Sequence, residues 1–545
     1  MIQTILDRLG NWNSQLFREL KGRLTVRNVA IAASLSIFCQ LLLVLFSWVQ
    51  LPVAPPLGEY INPIYHQYCT GPLNSDRAFT YECLRDHLGS FLINWSRWWQ
   101  DIFFILSGLF PILLILGGVY MLIGDMAQEE RRSTLNFIRL SPQPSATILV
   151  GKILGVPILL YVAIALAFPL HLWSAIQGKI PLTSLLTFEI MLTAICSCFY
   201  SASLLYALLG GLQAWLGMIL ASSVGFPCFQ LLQFAIEAGN PSSKQITDDL
   251  LWFYLPIGSS SLGIYSFLLL SIIGLNYGTW QILNRRFRNP ASTAFSKLQS
   301  YLFVACSQLW LLGFASGELG VNSNYQSQPT VGIACLFWLT PLEFLILIAA
   351  LSLQRQVLQD WVRYWQPQVS PRQHLWKVAL FQDLIAGEKS PGLLAIAVNF
   401  AITTIIWIPW MVLMNPSHYW LLDQGKIKVV LAWLLTLNLI LICAATAQLM
   451  LFMKTRKPQL WAAATVAAVL ALPLSTFVAF SIAPDQNPSL WLFSAIPIFA
   501  IPYTSIPRMV LTMLAQWSLL TLLSLQLVRQ LRQAGESASK TLLTH

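Results

Sequence analysis

The residues with the most chemistry in this chain lie in one short stretch. It reads Gly124-Asp125-Met126-Ala127-Gln128-Glu129-Glu130-Arg131-Arg132-Ser133-Thr134-Leu135-Asn136-Phe137-Ile138-Arg139-Leu140-Ser141-Pro142 and, after Pro144, runs through Thr147 to Gly151 and Lys152. Two acids, two bases and an apolar body of Leu135, Phe137, Ile138 and Leu140 describe a short amphipathic helix. Glu129 and Glu130 at its start suit a helix N-terminus, Ser141-Pro142 ends it, and a second helix begins near Ser145 or Ala146. Few other groups could act. Glu189 and Glu343 fall inside long apolar runs, where an ionisable side chain is costly and by default functional. Glu189 is near a run's outer end, within snorkelling reach of the interface. Glu343 is mid-run after Pro341, where a functional role and structural pairing are equally open. His171, near another outer end, reads as an interface residue. Cys69 and Cys83 are the only cysteines of a large outer loop and could form a disulfide there. Cys196 and Cys198, two apart, face different sides of a helix and make a poor metal pair. The chain has no Gly-x-x-x-x-Gly-Lys-Ser/Thr loop, no His-Glu-x-x-His and no Gly-x-Ser-x-Gly. No catalytic residue, no metal site and no cofactor of its own is expected.

The elements that must position these groups are membrane helices. Of 545 residues, 56% are hydrophobic and only 10% charged, against about 25% charged in an average soluble domain. About twelve runs reach the roughly 20 residues that cross the ~30 Å hydrocarbon core: Val29–Val49, Ile102–Ile123, Ile153–Trp173, Thr183–Leu209, Leu212–Ile236 and Leu255–Leu283, then Leu298–Ser316, Val331–Leu353, Leu393–Met414, Val429–Met453, Leu460–Ile482 and Met509–Val528. They are continuous rather than alternating, which predicts helices and excludes a β-barrel. With both termini cytoplasmic, most of the 32 basic residues fall on the inner side, as the positive-inside rule requires. The net charge of +10 is then a topology signal and an attraction to anionic headgroups, and nucleic acid is not an expected partner. The predicted location is the plasma (inner) membrane, multi-pass, with no cleavable leader.

This predicts an all-α polytopic membrane protein of two six-helix halves. Residues 1–28 form a cytoplasmic segment in which Ile2 to Val26 is an amphipathic helix on the inner surface, with Ile5, Leu9, Leu16, Leu20 and Leu24 as its apolar side. The first half is 29–283, with an outer loop at 50–100 and the charged inner loop at 124–152. A cytoplasmic linker, 284–297, follows. The second half is 298–528, with an inner loop at 354–391, and 529–545 is a cytoplasmic tail. Ser489 to Ser505 is apolar but interrupted by Pro497 and Pro502. A full span there would carry Arg529 and Arg532 outside, so it is read as a helical hairpin dipping into the outer leaflet, tolerated only where protein or water covers it.

The inner loop resembles the loop between the second and third spans of type-2 ABC exporter permeases. In that family a Glu-Arg-rich stretch, Gly-Thr-Leu-Glu, a Leu-Ser-Pro or Leu-Thr-Pro turn and an Ile-Leu-Leu-Gly-Lys run form a coupling helix. The matching positions are Glu130, Arg131, Thr134, Leu135, Leu140, Ser141, Pro142, Gly151 and Lys152, flanked by Glu129 and Arg132. Ser133 stands where the family has Gly, and Asn136 where it has Glu. The resemblance extends to Arg18–Arg23 but reaches the second half only through span count, since 354–391 has Glu388-Lys389-Ser390-Pro391 and no copy of the motif. It implies a permease subunit that docks two copies of a separate ABC ATPase at the cytoplasmic face, with ATP bound by that partner, and that exports a hydrophobic or amphiphilic substrate. Two other readings remain open: a secondary transporter or channel, which would need charged or helix-broken residues at the midplane, and a polytopic transferase acting on lipid-linked substrates.

Overall fold

In the computed structural model the described residues are 10, 12–55, 64–73, 80–86, 89–211, 213–237, 251–290, 292–317, 335–352, 355–365, 382–413, 425–455 and 458–543. They form a helical protein in two compact units, Met1–Thr247 with Ser260–Arg288, and Asp248–Ser259 with Asn289–His545. The boundary differs from the expected halves in two ways. The last helix of the first unit runs through Arg288 and absorbs the start of the linker. The segment 248–259 belongs to the second unit, where the Phe253 amide donates to the Gly313 carbonyl at 3.0 Å.

The first unit contains α1 (Ser14–Arg23), α2 (Val26–Val49), β1 (Tyr65–His66), β2 (Tyr81–Glu82), α3 (Trp95–Ile112), α4 (Gly118–Arg131), α5 (Thr134–Arg139), α6 (Ser145–Gly155), α7 (Ile158–Gln177), α8 (Leu182–Leu208), α9 (Ala214–Glu237) and α10 (Ser261–Arg288). The two short strands pair antiparallel in the loop after α2. Pro111 does not end α3. The chain passes through a π-turn at Leu113–Gly117 into α4, and the buried Tyr200 hydroxyl donates to the Leu114 carbonyl at 2.8 Å, satisfying backbone the wide turn leaves over. Pro157 breaks α6 from α7, and Tyr161 Oη donates to the Ile153 carbonyl at 3.0 Å. The core lies where α3, α4 and α8 meet, around Phe110, Leu122, Met126, Tyr200 and Leu204. Of α2's most apolar window only 6% is buried, so its Leu and Phe side chains present the apolar surface that belongs in lipid. Trp98 is buried and donates its indole N–H to the Ser47 carbonyl at 2.8 Å.

The second unit contains α11 (Lys297–Gly317), α12 (Thr340–Leu351), α13 (Arg355–Trp365), α14 (Leu393–Leu413), α15 (Lys426–Leu451), α16 (Pro458–Ala479), α17 (Pro488–Trp491) and α18 (Ile506–Leu543). Its centre is α15, 78% buried over its most apolar window. After α17 comes a 3₁₀ stretch, Pro497–Tyr503, in which Ile498, Ala500 and Ile501 are buried. The expected hairpin is thus one four-residue helix and one 3₁₀ segment, covered by protein as irregular backbone in an apolar setting must be. The expected tail is not separate, because α18 continues without a break to Leu543.

Among the described residues ten helices are long and apolar enough to span a bilayer, and the pair Cys335–Leu351 and Arg355–Arg363, bent by 64°, would make an eleventh. The expected count of twelve is not reached among the described residues. The run at 212–236 forms α9, of which the stretch Ala214–Phe226 qualifies only as a shorter apolar helix. Of the run at 331–353 the described helical part is Cys335–Leu351, which ends where Ser352 leaves the helical region at ψ 122°. The class is nonetheless plain: a multi-pass α-helical membrane protein.

Candidate functional site

The charged stretch is built differently from its expected form. Glu129 and Glu130 do not open a short helix. They close α4, whose last turn also holds Arg131. A helix C-terminus carries partial negative charge, so an acid there needs a cation, and Glu129 has two. The turn to α5 is made by Ser133 in the left-handed region, φ 57°, where a side chain costs energy and glycine does not. That conformation accounts for the glycine the resemblance expects here. In α5, Leu135 is buried and Ile138 packs against the core, while Phe137 and Leu140 are 76% and 82% exposed. Ser141 Oγ donates to the Ile138 carbonyl at 2.7 Å and ends the helix. Ser145 then begins α6, as expected, its hydroxyl receiving Arg288 Nε at 2.9 Å. Glu130, Arg131, Arg132, Phe137, Leu140 and Pro142 form an exposed surface.

Beneath that surface is a closed ring of six charges. Arg18 Nη2 lies 2.5 Å from Glu129 Oε1, whose Oε2 is 2.7 Å from Lys152 Nζ. Lys152 Nζ is 2.7 Å from Asp125 Oδ2, and Asp125 Oδ1 is 2.6 Å from Arg23 Nη2. Arg23 Nε meets Glu19 Oε2 at 3.2 Å, and Glu19 Oε1 returns to Arg18 Nη2 at 3.3 Å. Signs alternate and cancel around the ring. Lys152 is fully buried, so it is the member that cannot exchange its partners for water. The oxygens of Glu19, Asp125 and Glu129 all lie within 4.8 Å of one another, a spacing that could hold a metal ion. Lys152 Nζ, 3.9 Å from Glu19 and 2.7 Å from the other two, already supplies the positive charge.

The ring fastens α1 to α4 and α6. Close approach is permitted by Gly151 and Gly155, one turn apart. A Cβ on Gly151 would meet Asn13 Oδ1 and the Leu16 amide at 2.8 Å, and one on Gly155 would meet Glu19 Cβ at 2.5 Å. Asn13 caps α1 through the Leu16 amide at 3.0 Å and donates Nδ2 to the Thr147 carbonyl at 2.7 Å. The apolar side expected to lie on lipid is therefore spent partly on protein. Leu16 and Leu20 are buried, Leu24 is exposed, and Ile5 and Leu9 fall outside the described residues. Arg18 to Arg23 enter the sequence reading only as an extension of the resemblance, and their pairing with Asp125 and Glu129 is not read there. Asp125 and Glu129, four apart on one helix face, were the available signal.

The second unit has a simpler fastening at the start of its first helix. The buried Lys297 donates to the Leu384 carbonyl at 2.6 Å, to Ser390 Oγ at 2.5 Å and to the Pro391 carbonyl at 3.3 Å. Ser390 and Pro391 belong to the 354–391 loop, of which 366–381 lies outside the described residues.

The two intramembrane carboxylates have different surroundings. Glu343 accepts from Ser307 Oγ, and from Gln308 Nε2 at 2.6 Å. Gln308 Oε1 in turn accepts from Trp407 Nε1 at 2.7 Å and Thr340 Oγ1 at 3.2 Å. Glu343 thus ends a hydrogen-bonded network tying α11, α12 and α14. Glu189 Oε1 lies 3.4 Å from His171 Nδ1, and His171 Nε2 is 2.9 Å from Ser107 Oγ. His171 is not at an interface. It is fully buried, stacked on Phe103 at 4.6 Å and tilted against Phe110 at 5.0 Å. The order Ser107–His171–Glu189 is that of a hydrolytic triad, but Ser107 and His171 are closed to solvent. Ser107 also sits inside α3, where backbone N–H groups are engaged in the helix and cannot form an oxyanion hole.

In the loop after α2 Cys69 and Cys83 are joined in a disulfide. His66, in β1, accepts the Tyr68 amide on Nδ1 at 3.3 Å, and burial lowers its pKa. No family model, no curated protein and no solved structure matches the chain.

Proposed function

We propose that the chain is the membrane-spanning permease subunit of an ATP-driven exporter, working with a separate ATPase at the face that carries α5. The observation that supports this reading is the pairing of a rigid base with an exposed apolar tip. Phe137 and Leu140 project from a six-residue helix, flanked by the exposed Glu130, Arg131 and Arg132. The ring around Lys152 ties the end of α4 to α1 and α6, so a push on the tip is handed to membrane helices instead of being absorbed by a loose loop. Exposed aromatic and aliphatic anchors ringed by charge are what a protein partner buries. In this reading the cytoplasmic face is the α5 face, the membrane is the plasma membrane, and the cargo is hydrophobic or amphiphilic.

The test is affinity purification of the full chain in mild detergent, with mass spectrometry of what accompanies it. The reading expects a stoichiometric ATPase that is lost when Phe137 and Leu140 are both changed to Ser. Intact chain without any ATPase would overturn it.

A further inference from the structure

Between α8 and α10 of the first unit is a cavity of about 540 Å³, within the range of ligand pockets. Its walls are mostly apolar, with Leu186, Ile190, Leu269 and Ile273 among them. Two polar features break them besides the Thr193 hydroxyl, which donates to the Glu189 carbonyl at 2.8 Å. Near the Leu182 end is Glu189. About 12 Å further along α8, at 1.5 Å per residue, Ser197 Oγ accepts from Asn276 Nδ2 at 2.9 Å.

The polar atoms left over there are acceptors. The Asn276 Oδ1 atom is buried without a partner. The Glu189 carboxylate contacts only His171 Nδ1 among the described side chains, through one oxygen. The Ser107 hydroxyl engages His171 Nε2, while His171 Nδ1 and Glu189 Oε1, 3.4 Å apart, make no hydrogen bond with each other. Among the described residues no Lys or Arg lines the cavity. A carboxylate facing an apolar groove inside spanning helices is costly unless a cation joins it.

We propose that this groove binds a cationic amphiphile, its positive centre against Glu189 and its apolar body along α8 and α10. A lipid acyl chain would use the same apolar walls but would be indifferent to the charge of Glu189, and an organic anion would be repelled. The inference stands on the groove alone and holds whether or not an ATPase docks on α5.

The experiment is equilibrium dialysis of the purified full chain in lipid nanodiscs, with empty nanodiscs subtracted. The probes are tetraphenylphosphonium and tetraphenylborate, which match in shape and differ in the sign of charge. Wild type should bind the phosphonium saturably and the borate no better than empty discs. Glu189→Gln should weaken phosphonium binding about tenfold to a hundredfold, the worth of a charged contact. Ala194→Trp, which fills the cavity without touching the carboxylate, should weaken it too. Each variant is compared only if its size-exclusion profile matches wild type. Should Glu189→Gln fail that control, Ala194→Trp and the borate comparison carry the decision. Equal phosphonium binding by wild type and either well-folded variant, or borate binding equal to phosphonium binding, overturns the proposal.

Discussion

Replacing Lys152 by Met should release α1 from the first unit without unfolding the membrane helices. Lys152 Nζ is fully buried and makes two contacts at 2.7 Å, to Asp125 and Glu129, whose side chains are 13% and 11% exposed. Methionine keeps most of the volume and removes the charge, so the ring changes from neutral to one net negative charge with two carboxylates short of a partner. Arg18 can take over little, because its side chain is half exposed and water already screens it. Breaking a buried pair by removing one partner costs about 3–5 kcal/mol, and at about 1.4 kcal/mol per decade this is roughly two to four decades in an opening equilibrium. The assay is amide hydrogen exchange read by mass spectrometry over 14–23, because local opening is what exchange reports. Exchange should accelerate there by at least about a hundredfold, with α8 unchanged. Adding Glu129→Gln removes one orphaned carboxylate and should recover part of the loss, a coupling that a double-mutant cycle isolates. Exchange in 14–23 within a few-fold of wild type would refute the ring as the fastening.

Other outcomes follow from the same geometry. Ser133→Gly relieves a left-handed φ of 57° and should stabilise the α4–α5 turn by up to about 1 kcal/mol, seen as slower exchange over Thr134–Arg139; faster exchange would contradict the assignment. Gly155→Ala places a Cβ 2.5 Å from Glu19 Cβ and should cost about 1–3 kcal/mol by overpacking, again appearing as lost protection in α1. In the loop after α2, burial lowers the His66 pKa below its unfolded value. The unfolded loop therefore binds the proton first, and stability should be lost as pH falls from above the unfolded value, about 6.5, through the lowered folded value. Protease susceptibility of that loop measured across this window should rise on acidification, and His66→Gln should flatten the profile.

Much of this protein is legible in its sequence because lipid is a demanding solvent. With no water to satisfy backbone groups, a long apolar run has only the helix open to it, and so Val29–Val49 and Leu393–Met414 are found as helices within a few residues of their expected ends. Cys69 and Cys83 could be paired because few cysteines compete in that loop. The α6 start at Ser145 follows from Pro142 and Pro144. Other features were hidden, since they depend on which faces meet. Sequence treats Glu129 and Glu130 as equals, whereas Glu129 is buried between Arg18 and Lys152 and Glu130 faces outward. Arg18 and Glu129 are 111 residues apart, a separation local patterning cannot bridge. His171 and Glu343 were placed by their position along a span, but the facing helix decides whether a polar group meets a partner or lipid. Periodicity along one chain specifies the helices and their apolar surfaces; the pairing of a buried charge is a property of three helices at once, and only their packing brings Glu19, Asp125 and Lys152 together.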